Sequence, residues 1–190
     1  MPESFNAALL FLINTVFDLY LFILVVRMVL VYVGSNYYDP ITQFIVKLTD
    51  FIVKPLRRFI PNIRRAEIVT LILIILLEVI KFLLISTLSF GFPNFLGIIL
   101  LAMGDILKLF ISTFFYAILL QALMSWIQPA SPMNRVLYQF TSPIMYPLQR
   151  VVPLVNGIDL SPIPALLGLQ LIIILLVNPL MALGLATALG

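Results

Sequence analysis

Four long apolar runs, at 5–33, 68–90, 95–127 and 164–189, are the strongest constraint on how this chain folds. A helix of about 20 apolar residues crosses a hydrocarbon core roughly 30 Å thick. In lipid the backbone must satisfy its own hydrogen bonds, which helices do within one segment. The runs therefore predict an all-α membrane protein with four transmembrane helices. The first and third runs exceed the required length, so we expect them to tilt or protrude.

Composition excludes most catalytic chemistry. The chain is 63% apolar and contains neither cysteine nor histidine, which removes thiolate and imidazole metal ligands, thiol nucleophiles and Ser-His relays. We find no phosphate-binding glycine loop, no nucleophile elbow and no acidic metal-binding motif. We therefore expect no enzyme, no metal site and no cofactor. A net charge of +3 is too small to indicate a nucleic-acid partner.

The basic residues are distributed unevenly between the segments that join the spans. The first long loop holds Lys47, Lys54, Arg57, Arg58, Arg64 and Arg65, and the second holds Arg135 and Arg150. The terminal tails and the turn at 89–94 hold none. Because Lys and Arg are enriched in cytoplasmic loops, this pattern predicts two cytoplasmic loops, with both termini outside.

Both long loops have an amphipathic pattern. In the first loop, apolar residues recur at helical spacing opposite a polar set: Phe44, Ile45, Leu48, Ile52, Leu56 and Phe59 against Gln43, Lys47, Asp50, Lys54, Arg57 and Arg58. The pattern predicts a basic interfacial helix, broken near Pro55, and a weaker copy at 133–150. Its basic side chains would bind anionic lipid headgroups at about 1 kcal/mol each. Sensing of ionic strength and docking of a cytoplasmic partner are the alternatives.

The chain also contains an internal repeat. A shift of 92 residues gives seven identities over 39–63, and it aligns Thr49 with Thr141 and Glu67 with Asp159. The repeated motif comprises Pro40, Pro55, Leu56 and Pro61 in the first copy and Pro132, Pro147, Leu148 and Pro153 in the second. Each half, 1–94 and 95–190, would contain a span, an amphipathic helix and a span. Two spans per half make the halves parallel, related by an axis along the membrane normal.

Ionisable residues within the spans are the candidate site, because charge in a bilayer is costly. They are Asp18, Arg27, Glu78, Lys81, Asp105 and Lys108, with Asn178 as a further polar residue. Lys81 or Lys108 is the natural partner of Asp18, and Arg27 could snorkel to headgroups. One interpretation is a polar path that coordinates a cation or relays protons. The other is a closed ion-pair network, which the equal numbers of acids and bases favour.

Smaller signals concern helix ends and helix contacts. Ser161 and Pro162 have the positions of an N-cap and a first helical residue, and Pro179 predicts a kink after Asn178. Small residues within the spans predict close helix contacts: Ser86, Gly97, Gly104, Ser112, Gly168 and Gly184.

The duplicated stretches "DP…KPLRRFIP" and "SP…YPLQRVVP", with "FDLY…RMVL" in the first span, resemble the YggT family of small bacterial membrane proteins. The resemblance covers nearly the whole chain, although Gln149 replaces one of the paired arginines in the second copy. It implies a bacterial inner-membrane protein with two YggT repeats. The resemblance further implies roles such as osmotic tolerance and potassium uptake in enterobacteria, or division, nucleoid distribution and cytochrome assembly elsewhere.

Two functional hypotheses follow. The first is support of osmotic and ion (potassium) homeostasis, as a small channel-like protein or an accessory to a transporter. Four helices pack shut, so transport would need a homo-oligomer or a membrane-protein partner. The second is a non-transporting scaffold that recruits division, nucleoid or assembly factors through its basic cytoplasmic helix. The first hypothesis assigns most weight to Asp18 and Lys81, and the second assigns it to 54–65.

Overall fold

The structure is a computed structural model that describes residues 2–58, 67–89, 94–153 and 159–189, without the side chains of Pro2, Glu3 and Leu189. The described residues form seven α-helices and no strand. The helices are α1 (Pro2–Tyr32), α2 (Pro40–Arg57), α3 (Ile68–Ser89), α4 (Phe95–Ile127), α5 (Pro132–Gln149), α6 (Pro162–Ile172) and α7 (Asn178–Leu189).

Four helical segments are long and apolar enough to cross a membrane: α1, α3, α4 and the continuous α6–α7 segment. Their mean hydropathy lies between 2.1 and 2.9. The four predicted spans are confirmed, and the chain is a multi-pass helical membrane protein. With 33 residues, α4 is about 50 Å long at 1.5 Å per residue, well beyond the hydrocarbon core.

Local hydrogen bonds explain where the helices begin and end. Gly34 follows α1 with φ of 68°, and the N–H of Ser35 donates to the carbonyl of Leu30 at 2.9 Å. The left-handed conformation of Gly34 and the 6→1 hydrogen bond from Ser35 to Leu30 form a Schellman motif, which ends α1. The Asn94 side chain caps α4 by accepting from the N–H of Leu96. Ser161 and Pro162 have the predicted N-cap and first helical positions of α6, although the Ser161 side chain makes no capping hydrogen bond; the Ser161 N–H donates to Asp159.

The fourth span contains a π-turn, Ile173–Val177, between α6 and α7. Pro179 has no N–H to donate to the carbonyl four residues earlier, so the regular hydrogen-bond ladder cannot continue. The N–H of Asn178 donates to Ile173, five residues back. The irregularity predicted from Pro179 therefore lies before Asn178 rather than after it. It is a π-bulge, a helical turn that contains one residue more than a regular α-helical turn.

The helix α2 differs from the predicted amphipathic helix in two ways. It continues through Pro55 and ends at Arg57, so the predicted break at the proline is wrong. Its buried face consists of small and β-branched residues, and its larger apolar side chains point outward. The buried set is Thr42, Val46, Thr49 and Val53, and the outward set includes Phe44, Leu48 and Phe51. Short side chains let α2 pack closely against the other helices and leave the bulky ones exposed.

Close helix contacts join α4 to α7. A Cβ on Gly97 would lie 2.4 Å from the backbone nitrogen of Ala188, and one on Gly184 would lie 2.9 Å from that of Leu101. These contacts run antiparallel, and only glycine allows such an approach of two backbones. Gly168 differs, since a Cβ there would meet no atom within 4 Å.

Candidate functional site

Three carboxylates converge on one buried ammonium, from three different spans. Lys81 of α3 donates from Nζ to Oδ1 of Asp18 at 2.9 Å, to Oε1 of Glu78 at 2.8 Å and to Oδ2 of Asp105 at 2.5 Å. A lysine ammonium has three N–H donors, so each donor has its own carboxylate. We refer to these four residues as the Lys81 cluster. It links α1, α3 and α4.

The Lys81 cluster lies deep in the membrane-spanning region. Lys81 precedes the end of α3 by about 12 Å and Asp105 follows the start of α4 by about 15 Å, at 1.5 Å per residue. These depths are near the middle of a core roughly 30 Å thick. The Lys81 and Glu78 side chains are 2% and 1% exposed. Oε2 of Glu78 is buried and has no hydrogen-bond partner.

The positions of the charged residues weaken the argument that equal numbers of acids and bases form one closed network. The equal numbers of acids and bases favoured a closed network, but the structure divides these residues between different places. Arg27 lies in a separate site, and the exposed Lys108 makes no ion pair within the described ranges. Within the described ranges, Lys81 is therefore the one base in direct contact with these three carboxylates. Among the described residues no His, Cys, Asp or Glu group is suited to hold a metal ion, and the ammonium takes the centre of this cluster.

A second polar site, the Arg27 site, joins α1, α2 and the start of α3. Arg27 is 1% exposed. Its Nε and Nη2 donate to both oxygens of Glu67 at 2.9 and 3.0 Å, a bidentate pair. Its Nη1 donates to Oγ1 of Thr49 at 2.6 Å and to Oδ1 of Asp50 at 2.8 Å. The expectation that Arg27 could snorkel to the headgroups is wrong, because the guanidinium is enclosed by these partners.

Two exposed basic residues extend the Arg27 site toward the surface. Arg57 pairs with Glu67, and Lys54 pairs with Asp50 at 2.9 Å. Burial alone would raise the pKa of the Glu67 carboxyl, but hydrogen bonds from Arg27 outweigh it and hold that pKa below its ordinary value. The pKa of Asp50 is lowered in the same way, with burial outweighed by hydrogen bonds from Lys54 and Arg27. Both carboxyls are therefore ionised at neutral pH, and they fix α2 against α1 and α3.

The second half of the chain repeats these contacts with fewer charges. With a two-residue gap in the repeat alignment, Gln121 has the position of Arg27. Oγ1 of Thr141 donates to Gln121, as Thr49 contacts Arg27 in the first half. Nε2 of Gln149 donates to Asp159 at 2.8 Å, as Arg57 contacts Glu67. Burial would raise the pKa of Asp159, but its hydrogen bonds from Ser161 and Gln149 outweigh it and lower that pKa. Equivalent positions therefore make equivalent contacts, although glutamine replaces arginine twice.

Several predicted site residues lie elsewhere. The side chain of Asn178 is exposed at the start of α7 and forms no part of the Lys81 cluster. Lys47, Lys54, Arg57 and Arg58 are exposed, and Arg150 stacks on the ring of Tyr146 at 4.5 Å. Pro40 and Pro132 open α2 and α5, whereas Pro55 and Pro147, with Leu56 and Leu148, lie in their last turns. Pro153 lies beyond α5, and Pro61, Arg64 and Arg65 lie outside the described residues.

Sequence reasoning missed three partners of Arg27: Thr49, Asp50 and Glu67. Two of them carried a signal, since the 92-residue shift aligns Thr49 with Thr141 and Glu67 with Asp159. A polar residue retained in both copies indicates a contact that both copies need. Asp50 had no such signal, because Ser142 occupies its position in the second copy. Asp50 belongs to the predicted polar set of α2, but its side chain is 15% exposed and contacts Arg27.

Four apolar spans that enclose two buried ionic sites define a polytopic α-helical membrane protein. The CCB3/YggT family matches the chain twice, over residues 6–88 and 100–180, and the chain belongs to this family. One matched segment lies in each predicted half.

The chain is similar to several bacterial proteins along most of their length. It is 36% identical to the uncharacterized protein YggT of Escherichia coli K12, over 86% of each chain. It is 34% identical to an uncharacterized protein of Pseudomonas aeruginosa, over 93% of this chain and 92% of the relative. It is 36% identical to an uncharacterized Vibrio alginolyticus protein from the proC 3′ region, over 84% and 88%. No solved structure matches the chain.

Proposed function

We propose that this protein supports cation homeostasis in the bacterial inner membrane, and that the Lys81 cluster is where it handles the cation. The role is non-enzymatic. The cation is a proton or a monovalent ion such as potassium, which either passes through an oligomer of this chain or is sensed on behalf of a partner transporter.

One observation carries the proposal: three carboxylates surround a single ammonium near the middle of the membrane. A pair that served packing alone would need one acid for one base. If all three carboxylates are ionised, the cluster holds two surplus negative charges. In a medium of low dielectric constant such a surplus attracts a cation strongly. The unpartnered Oε2 of Glu78 is the oxygen with free capacity to accept a proton.

The topology proposed with this function places α2 and α5 on the cytoplasmic side and both termini outside. The basic residues of the two long loops support it through the positive-inside rule. The repeated contacts of Thr49 and Thr141 support two parallel halves related by an axis along the membrane normal. In this orientation the basic side chains of α2 and α5 meet anionic headgroups.

Cation flux into liposomes tests the proposal. Purified protein would be reconstituted, and uptake of rubidium and of protons measured before and after an osmotic upshift. We expect uptake with the native chain and its loss with Asp105→Asn or Glu78→Gln. Asp159→Asn is the matched control, because it neutralises a carboxylate outside the spans. In parallel, cells carrying each variant would be assayed for potassium retention after the upshift.

The outcomes separate the two forms of the proposal. Flux that depends on Asp105 and Glu78 supports a conducting oligomer. Absence of flux, combined with a potassium defect in Asp105→Asn cells, supports an accessory to a transporter. If all variants behave like the native chain in both assays, the Lys81 cluster is a packing device and the proposal fails.

A scaffold that recruits cytoplasmic factors is the second candidate. It is favoured by the exposed basic side chains of α2, of which Lys54 is 70% exposed. Lys47→Gln, Lys54→Gln and Arg58→Gln together would remove two basic charges of α2 and the one that follows it, and would leave Arg57 paired with Glu67. Loss of the cellular phenotype in this triple variant, with normal behaviour of Asp105→Asn, would favour the scaffold. The opposite pattern would favour the cation role.

A further inference from the structure

One carboxylate of the Lys81 cluster is only partly covered by the chain itself. The Asp18 side chain is 56% exposed, although it contacts the 2% exposed Lys81. In water such exposure would be unremarkable, but Asp18 is at the depth of the cluster, near the middle of the membrane. A carboxylate that faces lipid there costs several kcal/mol. Something other than lipid must therefore cover it.

The exposed surface around Asp18 is continuous along α1. Phe11 lies seven residues before Asp18, Thr15 lies three before it, and Phe22 lies four after it. At this spacing the four residues share one helix face. Phe11 is 71% exposed and Phe22 is 43% exposed. The rest of the described chain leaves this face, which we call the Asp18 face, largely uncovered.

A basic residue lies beside the Asp18 face. Asp105 and Asp18 contact the same Lys81 ammonium, so they are close together. Lys108 follows Asp105 by one turn of α4, about 5–6 Å away between Cβ atoms. Lys108 is exposed and pairs with no acid of the described chain. Along the axis of α4, Lys108 is about 5 Å from Asp105, at 1.5 Å per residue. It therefore lies near the depth of Asp18, which shares the Lys81 ammonium with Asp105.

We infer that a second copy of this chain covers the Asp18 face, with Asp18 of each copy paired to the partner's Lys108. A surface that presents an acid and a base side by side at similar depth is self-complementary. A two-fold axis along the membrane normal brings each acid to the other copy's base, as an isologous interface requires. Charge complementarity therefore favours a second copy over an unrelated helix, which would need matching charges of its own.

The partner's Lys108 also completes the Lys81 cluster. With it, two bases face three carboxylates, and if all three carboxylates are ionised the surplus negative charge at each cluster falls from two to one. The remaining charge leaves capacity for one monovalent cation. The interface itself goes beyond the proposed cation role and stands without it, because Asp18 needs cover whether or not a cation binds.

Disulfide cross-linking tests the interface directly, because the chain has no native cysteine. Thr15→Cys would be placed on the Asp18 face, and Leu76→Cys, which replaces a 54% exposed residue of α3, is the matched control. Both would be oxidised in native membranes and the dimer fraction read on non-reducing gels. We expect Thr15→Cys to cross-link at least fivefold faster than Leu76→Cys.

A charge variant makes the test specific to the proposed pair. Lys108→Glu added to Thr15→Cys should slow cross-linking at least fivefold, whereas Lys108→Arg should preserve it. Lys108 makes no ion pair within the described chain, so this variant should fold, and helicity in detergent would verify that. Equal rates for Thr15→Cys and Leu76→Cys, or no effect of Lys108→Glu in a folded protein, would overturn the inference. Neither result depends on cation flux, so this inference and the proposed function fail separately.

Discussion

Replacement of Arg27 by glutamine isolates the contribution of the Arg27 site to folding. The change copies the second half of the chain, where Gln121 occupies the equivalent position and bonds Thr141. Glutamine is long enough to contact Thr49 but has no charge for Glu67, whose side chain is 0% exposed. The variant therefore leaves a buried carboxylate with Arg57 as its remaining cation.

The expected loss of stability follows from this burial. Removal of one partner from a buried ion pair costs about 3–5 kcal/mol, because the other charge stays desolvated. Since Arg57 still contacts Glu67, we expect the lower end, about 3 kcal/mol. At 1.36 kcal/mol per tenfold change, this lowers the folding equilibrium constant by about two orders of magnitude.

The second variant, Arg27→Gln with Glu67→Gln, removes the stranded charge. Side chains in direct contact show coupling energies of 0.5–3 kcal/mol, and a bidentate buried pair belongs at the upper end. We expect the double variant to be more stable than the sum of the single changes by about 2 kcal/mol.

Unfolding in mixed micelles by titration with a denaturing detergent, followed by circular dichroism, would give each free energy of unfolding. Lys54→Gln is the control, since Lys54 is itself 70% exposed and such a surface partner is worth about 0–1 kcal/mol. If the two changes at the Arg27 site add without coupling, the bidentate pair does not stabilise the fold and the reasoning is refuted.

Three further predictions concern other positions. The lowered pKa of Glu67, ordinarily 4.5, means that its ionised contacts stabilise fully above that value and lose this effect as pH falls through the lowered pKa. The midpoint of unfolding should therefore be level near neutral pH and fall below about pH 4.5, less so in Glu67→Gln. Gly97→Val should lower the free energy of unfolding by about 1–3 kcal/mol, because the larger side chain overpacks against α7. Gly168→Ala should be neutral or stabilising in the same titration, because a Cβ at that position meets no atom within 4 Å. Gln149→Arg should restore an ion pair with the partly buried Asp159 and raise the free energy of unfolding by about 0–1 kcal/mol, and a decrease would contradict the equivalence of the two halves.

The spans were predictable because they depend on local properties of the sequence. Hydrophobic length alone places α1, α3, α4 and the fourth span within a few residues of their ends. The course of α2 past Pro55 and the π-turn before Asn178 were not predictable in the same way. A proline excludes one hydrogen bond, but packing against the other helices decides whether the helix ends, continues or takes in an extra residue.

The polar residues of the candidate sites were visible in the sequence, because each is an exception in an apolar span. Their grouping was not visible. Spacing along one helix predicts that Glu78 and Lys81 can meet, but it cannot decide which acids from α1 and α4 reach the same ammonium. Three carboxylates around Lys81 depend on how three helices are rotated and shifted against each other.

The sequence by itself therefore determined the membrane environment of this protein, its number of spans and its family, since all of these depend on composition and order along the chain. Only the tertiary structure decided that Arg27 is enclosed by Glu67 and Asp50, that Lys81 faces surplus acid, and that Asp18 stays exposed. Charges in a membrane interact strongly over a few ångströms, and distances of that size between separate helices are set by packing rather than by sequence spacing.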